Sequence, residues 1–234
     1  MGINFGGGAP ATSAPIGDVT PVNPVPASDP VTPVADNTIQ QVSTPQGITL
    51  DLGKGAILDL TKRNPGLRHC RLGAGWDPAA TGVEFDLDIS AFLLNAAGKI
   101  TTASDIVYFN NKSAGGVTLN GDNRNGLGEG DDETMDIDLG AVPAQYDAIV
   151  FCVNIFEAQQ RQQTFGMVQN SYVRLLDKDA GDKELCRFRL KDEYATSTGV
   201  VFAKLKRSGA DWNFEAIGDG KVVQDLNSLV ALFT

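Results

Sequence analysis

From Ile48 onward, apolar side chains recur at every second position, the period of a β-strand with one buried face. Ile48, Leu50 and Leu52 alternate with Thr49 and Asp51, and a turn signal at Gly53-Lys54-Gly55 separates them from a second run at Ile57 to Leu60. After Asn64-Pro65-Gly66, Leu67 to Leu72 leads into Gly73-Ala74-Gly75-Trp76-Asp77, which reads as a glycine-rich turn. Val83, Phe85, Leu87, Ile89, Ala91 and Leu93 then share one strand face, which puts Glu84, Asp86, Asp88 and Ser90 on the other. Further strands are predicted at Asp105 to Phe109, Met135 to Leu139, Val168 to Leu176, Glu184 to Leu190, Val200 to Lys206 and Asp211 to Ile217. Tyr146 to Phe156 is almost wholly apolar, as a central strand buried on both faces would be. Ala158 to Gln163 reads as a helical turn or loop. Leu226, Leu229, Val230 and Phe233 stand at i, i+3, i+4 and i+7, the spacing of a short C-terminal helix. About ten short strands with so little helix predict an all-β chain, a two-sheet β-sandwich.

Residues 1–45 are a different kind of polymer. They hold eight of the eleven prolines and neither Lys nor Arg, so they cannot bury enough apolar surface to offset their ordering entropy. We expect an extended N-terminal arm or linker over 1–45 and a folded domain over 46–234. Proline fixes φ near −65° and starts the segment close to an extended conformation, so it loses less entropy when laid on a partner. Val19, Val22, Val25, Val31 and Val34 supply small anchors for such docking, onto protein partners or copies of the same chain.

The stretch from Gly121 to Glu133 carries five acids (Asp122, Glu129, Asp131, Asp132, Glu133) and one base (Arg124), a formal charge of −4 in thirteen residues. Alternate glycines at 126, 128 and 130 let the backbone coil and turn its carbonyls inward. Hard oxygen donors on a flexible loop are what Ca²⁺ prefers. The loop is not an EF-hand, because Arg124 occupies a ligand position and Gly126 falls one residue before the turn glycine. Nor is it a phosphate cradle, since Gly-x-Gly-x-Gly lacks the required spacing and the loop's charge repels phosphate. Asp86 and Asp88, at i and i+2 on one strand face, would stand about 7 Å apart, where a cation would relieve their repulsion.

A net charge of −10 makes nucleic acid and anionic membranes poor partners and divalent cations good ones. The longest apolar run, Ala148 to Val153, is far too short to span a bilayer, and the N-terminus has no signal-peptide pattern. Three dispersed cysteines encode neither a disulfide framework nor a zinc cluster and fit reduced thiols in a cytoplasmic protein. One histidine, His69, and no nucleophile motif leave an enzyme without its acid–base machinery.

Several stretches carry a resemblance: Leu52-Gly53-Lys54-Gly55, Gly75-Trp76-Asp77, Phe85-Asp86-Leu87-Asp88-Ile89-Ser90, Phe109-Asn110-Asn111, Gly121-Asp122-Asn123-Arg124, Gly130-Asp131-Asp132-Glu133, Arg161-Gln162-Gln163-Thr164-Phe165-Gly166 and Trp212-Asn213-Phe214-Glu215-Ala216. In their order and spacing the chain from about Ile48 to its end resembles the tellurium-resistance TerD family of calcium-binding stress-response proteins. The resemblance implies a two-sheet β-sandwich that binds Ca²⁺ through the acidic loop and the Asp-Leu-Asp strand. The implied ligands are Asp122, Asn123, Asp131, Asp132 and Glu133, with Asp86 and Asp88. At Asp77 both a turn hydrogen bond and a metal contact remain open. It also implies a non-enzymatic module of the tellurite and stress response, acting through protein contacts, without nucleic acid or membrane insertion. The alternative is a structural subunit of a phage virion or contractile apparatus, docked through its arm. One departure is Arg187-Phe188-Arg189-Leu190, where the family usually has Arg-Tyr-Asp-Leu, so Arg189 would weaken or replace any cation site using that aspartate.

Overall fold

The structure, a computed structural model, describes residues 39–44, 47–77, 84–121, 125–127, 130–190 and 194–234. Residues 1–38 of the expected arm, Val83, and the predicted ligands Asp122 and Asn123 lie outside the described residues. Strands β1 (Ile39–Thr44) and β2 (Gly47–Leu52) form an antiparallel hairpin, so the last residues of the expected arm belong to a sheet. Next come β3 (Ile57–Asp59), the helical turn α1 (Leu60–Arg63), β4 (His69–Asp77) and β5 (Leu87–Leu94). Three short strands, β6 (Ile106–Val107), β7 (Ser113–Ala114) and β8 (Val117–Leu119), precede β9 (Glu133–Asp138) and β10 (Ala148–Ile155). After the turn α2 (Ala158–Arg161) come β11 (Gln169–Asp177), β12 (Lys183–Arg189), β13 (Gly199–Ser208), β14 (Asp211–Lys221) and α3 (Leu226–Val230).

These strands make two sheets, one of eight in the order β1-β2-β12-β11-β4-β9-β8-β7 and one of six in the order β3-β14-β13-β10-β5-β6. Among the described pairs only β12 with β2 is parallel. The period-two pattern sends Leu72 and Trp76 of β4, and Met135 and Ile137 of β9, inward against Ile89 of β5, Phe151 of β10 and Phe202 of β13. Phe151 and Phe202 stack with centroids 6.2 Å apart. Each fully buried side chain of this size contributes about 1.5–3 kcal/mol of transfer free energy.

The apolar run in β10 is explained by a second cluster. Ile149, Phe151 and Val153 face the other sheet, while Val150 and Cys152 face outward and pack with Phe92 and Leu94 beneath the C-terminal segment. Asp225 caps that segment by accepting from Ser228 N at 3.0 Å, Leu229 is fully buried, and the Phe233 ring lies 5.8 Å from that of Phe92. Cys70, Cys152 and Cys186 are buried and unbridged. Among the described residues no helix is long and apolar enough to cross a membrane.

Two local expectations change. Gly73 to Asp77 is not a turn but the end of β4, and its glycines serve close approach instead of chain reversal. A Cβ on Gly73 would sit 2.1 Å from Asp131 Oδ2, and one on Gly75 would sit 2.5 Å from Tyr172 Oη. The strand expected from Val83 starts at Leu87. Before it, the carbonyls of Glu84 and Phe85 accept from Gln163 Nε2 (2.8 Å) and Trp76 Nε1 (3.0 Å), so side chains occupy positions a strand partner would fill.

Candidate metal centre at the end of strand β4

Asp131, Asp132 and Glu133 are consecutive, and entry into β9 sends them to different surroundings. Asp131 lies over Gly73 on the outer face of the eight-stranded sheet, where the missing side chain leaves room for its carboxylate. Its Oδ1 accepts from Arg174 Nε at 2.7 Å and lies 3.1 Å from the Tyr172 hydroxyl, which also reaches Gly130 O at 2.9 Å. Arg174 Nη1 continues to Glu184 Oε2 at 3.1 Å, and Arg187 closes the cluster with bonds of 2.9 and 2.8 Å to the two Glu184 oxygens. The Arg187 guanidinium stacks 4.1 Å above the Tyr172 ring. The Asp131 and Glu184 side chains are only 7% and 2% exposed, so this is a buried ion network. Burial acts against the Arg174 charge, but Asp131 and Glu184 outweigh it and raise its pKa. Burial and the neighbouring Asp131 charge push the Tyr172 hydroxyl up to about 12.

Asp132 turns toward the end of β4. Its backbone N donates to Ala74 O at 2.8 Å, and its Oδ2 accepts from Trp76 N at 2.9 Å. Burial holds this carboxyl above the usual range; the Trp76 amide opposes that, and the charges of Asp131 and Asp77 add to it. Asp77 itself accepts from Asn170 Nδ2 at 2.5 Å. Glu133 points inward, 1% exposed, and its Oε2 accepts from Ile89 N at 2.7 Å, joining the two sheets. Asp86 is buried just ahead of β5, where its carbonyl accepts from Phe156 N at 2.8 Å. Asp88 lies between the core-facing Leu87 and Ile89, directly opposite Asn154 of β10, and so belongs to the outer face of the six-stranded sheet.

Of the predicted ligands, the structure thus brings Asp77 and Asp131 each within electrostatic reach of Asp132, buries Asp86 and Glu133, and places Asp88 on a face it shares with neither Asp131 nor Glu133. Among the described residues no three acidic, thiol or imidazole groups converge as a metal shell. The donor set is hard oxygen throughout, as Ca²⁺ requires, and three neighbouring carboxylates, one with a raised pKa, are a place where a cation relieves repulsion. Asp131 Oδ1 is held by Arg174 and Tyr172, while Oδ2 lies over Gly73.

Sequence reading missed Tyr172, Arg174, Glu184 and Arg187. The register puts Arg174 directly opposite Arg187, a like-charge pair that is unfavourable without carboxylates beside it. Arg189, noted for its departure, pairs with Asp51 at 2.9 Å.

Residues 48–233 match the TerD domain model. The tellurium resistance protein TerD of Serratia marcescens is 42% identical over 176 residues, covering 74% of this chain and 91% of that protein. General stress protein 16U of Bacillus subtilis (strain 168) is 42% identical over 177 residues, with the same coverage of both chains. The crystal structure of a homologue of telluride resistance protein from Streptomyces coelicolor A3(2) shares the fold, with a TM-score of 0.61 at 22% identity over 72% of this chain and 99% of that one. The chain belongs to the TerD family.

Proposed function

We propose that this protein is a calcium-binding β-sandwich module that works by binding, not by catalysis, and acts through protein contacts in the tellurite and general stress responses for which its relatives are named. The observation that carries the reading is the gathering of Asp77, Asp131 and Asp132 at the end of β4, with the Asp132 carboxyl held above its ordinary pKa by burial and by its two acidic neighbours. Asp77, Asp131 and Asp132, with Asp122 and Asn123 of the preceding loop, would hold the ion. When bound, Ca²⁺ supplies charge neutralisation and stability; at 100 times its dissociation constant, linkage gives about 2.7 kcal/mol.

The N-terminal arm is the proposed contact with partner proteins or further copies of the chain. The test compares wild type, a chain lacking residues 1–38, and the Asp131→Asn/Asp132→Asn double variant in a strain deleted for the gene. Survival on tellurite should be restored by wild type alone, and partner co-purification should be lost in both variants. Full rescue by the double variant would remove calcium from the function. Full rescue and co-purification by the truncated chain would remove the arm.

A further inference from the structure

A cavity of about 530 Å³ lies on the outer face of the six-stranded sheet, between β5, β10 and the C-terminal segment and away from Asp131. Ser90 and Asn154 line it, 1% and 5% exposed, and among the described residues Ser90 Oγ and Asn154 Oδ1 make no hydrogen bond. Buried oxygens without partners are costly, and a ligand that donates to them offsets the cost. Asn110, Gln160 and Gln224 add exposed amides to the walls, each with donors and an acceptor. Among the described residues the lining holds no Lys, Arg or His, and its three carboxylates already have interactions of their own. Glu157 pairs with Arg161 at 3.3 Å, Asp225 accepts from Ser228 N at 3.0 Å and Asn227 Nδ2 at 3.1 Å, and Asp88 is likewise engaged. An anion finds no counter-charge there and a cation no waiting carboxylate, so the ligand that fits is neutral.

One wall is aromatic. The Tyr108 and Phe109 rings meet edge to face at 5.2 Å, and Phe109 meets Phe156 in the same manner at 6.4 Å. Arg161 covers the Phe156 ring, with Cζ 5.4 Å from its centroid, whereas Phe109 is 37% exposed and is the ring open to a ligand. Two buried acceptors and three amides, spread over a cavity of ligand size, are more than one hydroxyl or one amide can satisfy. A sugar ring carries several hydroxyls that each donate and accept, and its C–H face packs on an aromatic ring. The geometry points to a binding site for a neutral saccharide, with Ser90 and Asn154 receiving its hydroxyls and Phe109 packing against its apolar face.

The test is calorimetric titration of the full chain with the methyl glycosides of glucose, galactose and mannose, and with cyclohexanol and gluconate as controls, each in excess Ca²⁺ and again in chelator. At least one glycoside should bind tenfold or more tightly than either control in both buffers, so failure of the calcium reading would leave this result standing. That glycoside is then compared with a linear oligosaccharide of the same unit: equal or tighter binding identifies the end of a glycan as the source, and lost binding identifies a free sugar. Ser90→Ala should weaken binding at least fivefold while the melting temperature of the unliganded protein stays the same or rises, because the substitution removes a buried hydroxyl that has no partner. Phe109→Ala should weaken binding about threefold. The inference is overturned if no glycoside binds more tightly than cyclohexanol, if neither substitution weakens binding, if Ser90→Ala lowers the melting temperature, or if the sugar binds only in Ca²⁺, which would place it at the metal.

Discussion

Replacing Arg174 by Leu tests the buried ion network that fixes Asp131. Arg174 joins Asp131 (2.7 Å) to Glu184 (3.1 Å), and both carboxylates are almost fully buried. Removing one partner from a buried pair costs about 3–5 kcal/mol, because it strands a charge away from water. Here Glu184 keeps Arg187 and Asp131 keeps the Tyr172 hydroxyl, so the lower end of that range applies, about 3 kcal/mol. For a domain of this size the loss corresponds to a melting temperature lower by about 6–12 °C. The assay is equilibrium urea unfolding in chelator, followed by the fluorescence of the buried Trp76 and Trp212. A double variant, Arg174→Leu with Asp131→Asn, should recover most of the loss, since the stranded Asp131 charge is gone and Glu184 keeps its pair with Arg187. A loss under about 1 kcal/mol for the single variant, or a double variant no better than the single one, would show that these charges are solvated and that the network does not hold Asp131.

Gly73→Ala should destabilise by about 2 kcal/mol through overpacking, because its Cβ would meet Asp131 Oδ2 at 2.1 Å; urea unfolding should show the Gly73→Ala effect largely abolished in an Asp131→Ala background. Asp105 gives a pH signature: burial pushes its carboxyl up, but the Tyr146 hydroxyl (2.7 Å) and the Thr102 and Thr101 amides (2.8 and 3.0 Å) outweigh it and hold it below the usual range. Its stabilisation is therefore present above the unfolded value of about 3.9 and lost as pH falls through the lower folded value. Melting curves from pH 6 down to 2 should fall less steeply for Asp105→Asn than for wild type, with the variant about 2 kcal/mol weaker at neutral pH; parallel curves would refute the assignment.

The sandwich was legible because strand identity is written in local alternation. The doubly buried β10, the inward set of β5 from Leu87 onward, and the C-terminal cluster around Leu229 and Phe233 follow from period and composition alone. Cross-strand partners are not local, and there the reading stopped. Gly73 and Gly75 read as a turn because only the register shows Asp131 and Tyr172 lying above them. Local alternation does not show that Arg174 and Arg187 stand side by side next to Glu184 and Asp131; only the strand pairing does. The acidic run was evident as a concentration of charge, but not that Asp131 would lie over the outer face, Glu133 point into the core and Asp88 belong to another surface. Alternation fixes which residues share a face within one strand; it does not say which faces of different strands meet.

Calorimetric titration of the full chain with Ca²⁺, paired with melting curves in excess Ca²⁺ and in chelator, tests the calcium reading most directly. The account predicts saturable binding of one or two ions and a higher melting temperature with Ca²⁺. Both should be lost in Asp131→Asn/Asp132→Asn and kept in Asp179→Asn/Asp182→Asn, whose carboxylates serve His69 and Arg71 at the other end of β4. Absence of heat and of any melting shift in wild type, or equal effects of the two double substitutions, would contradict it.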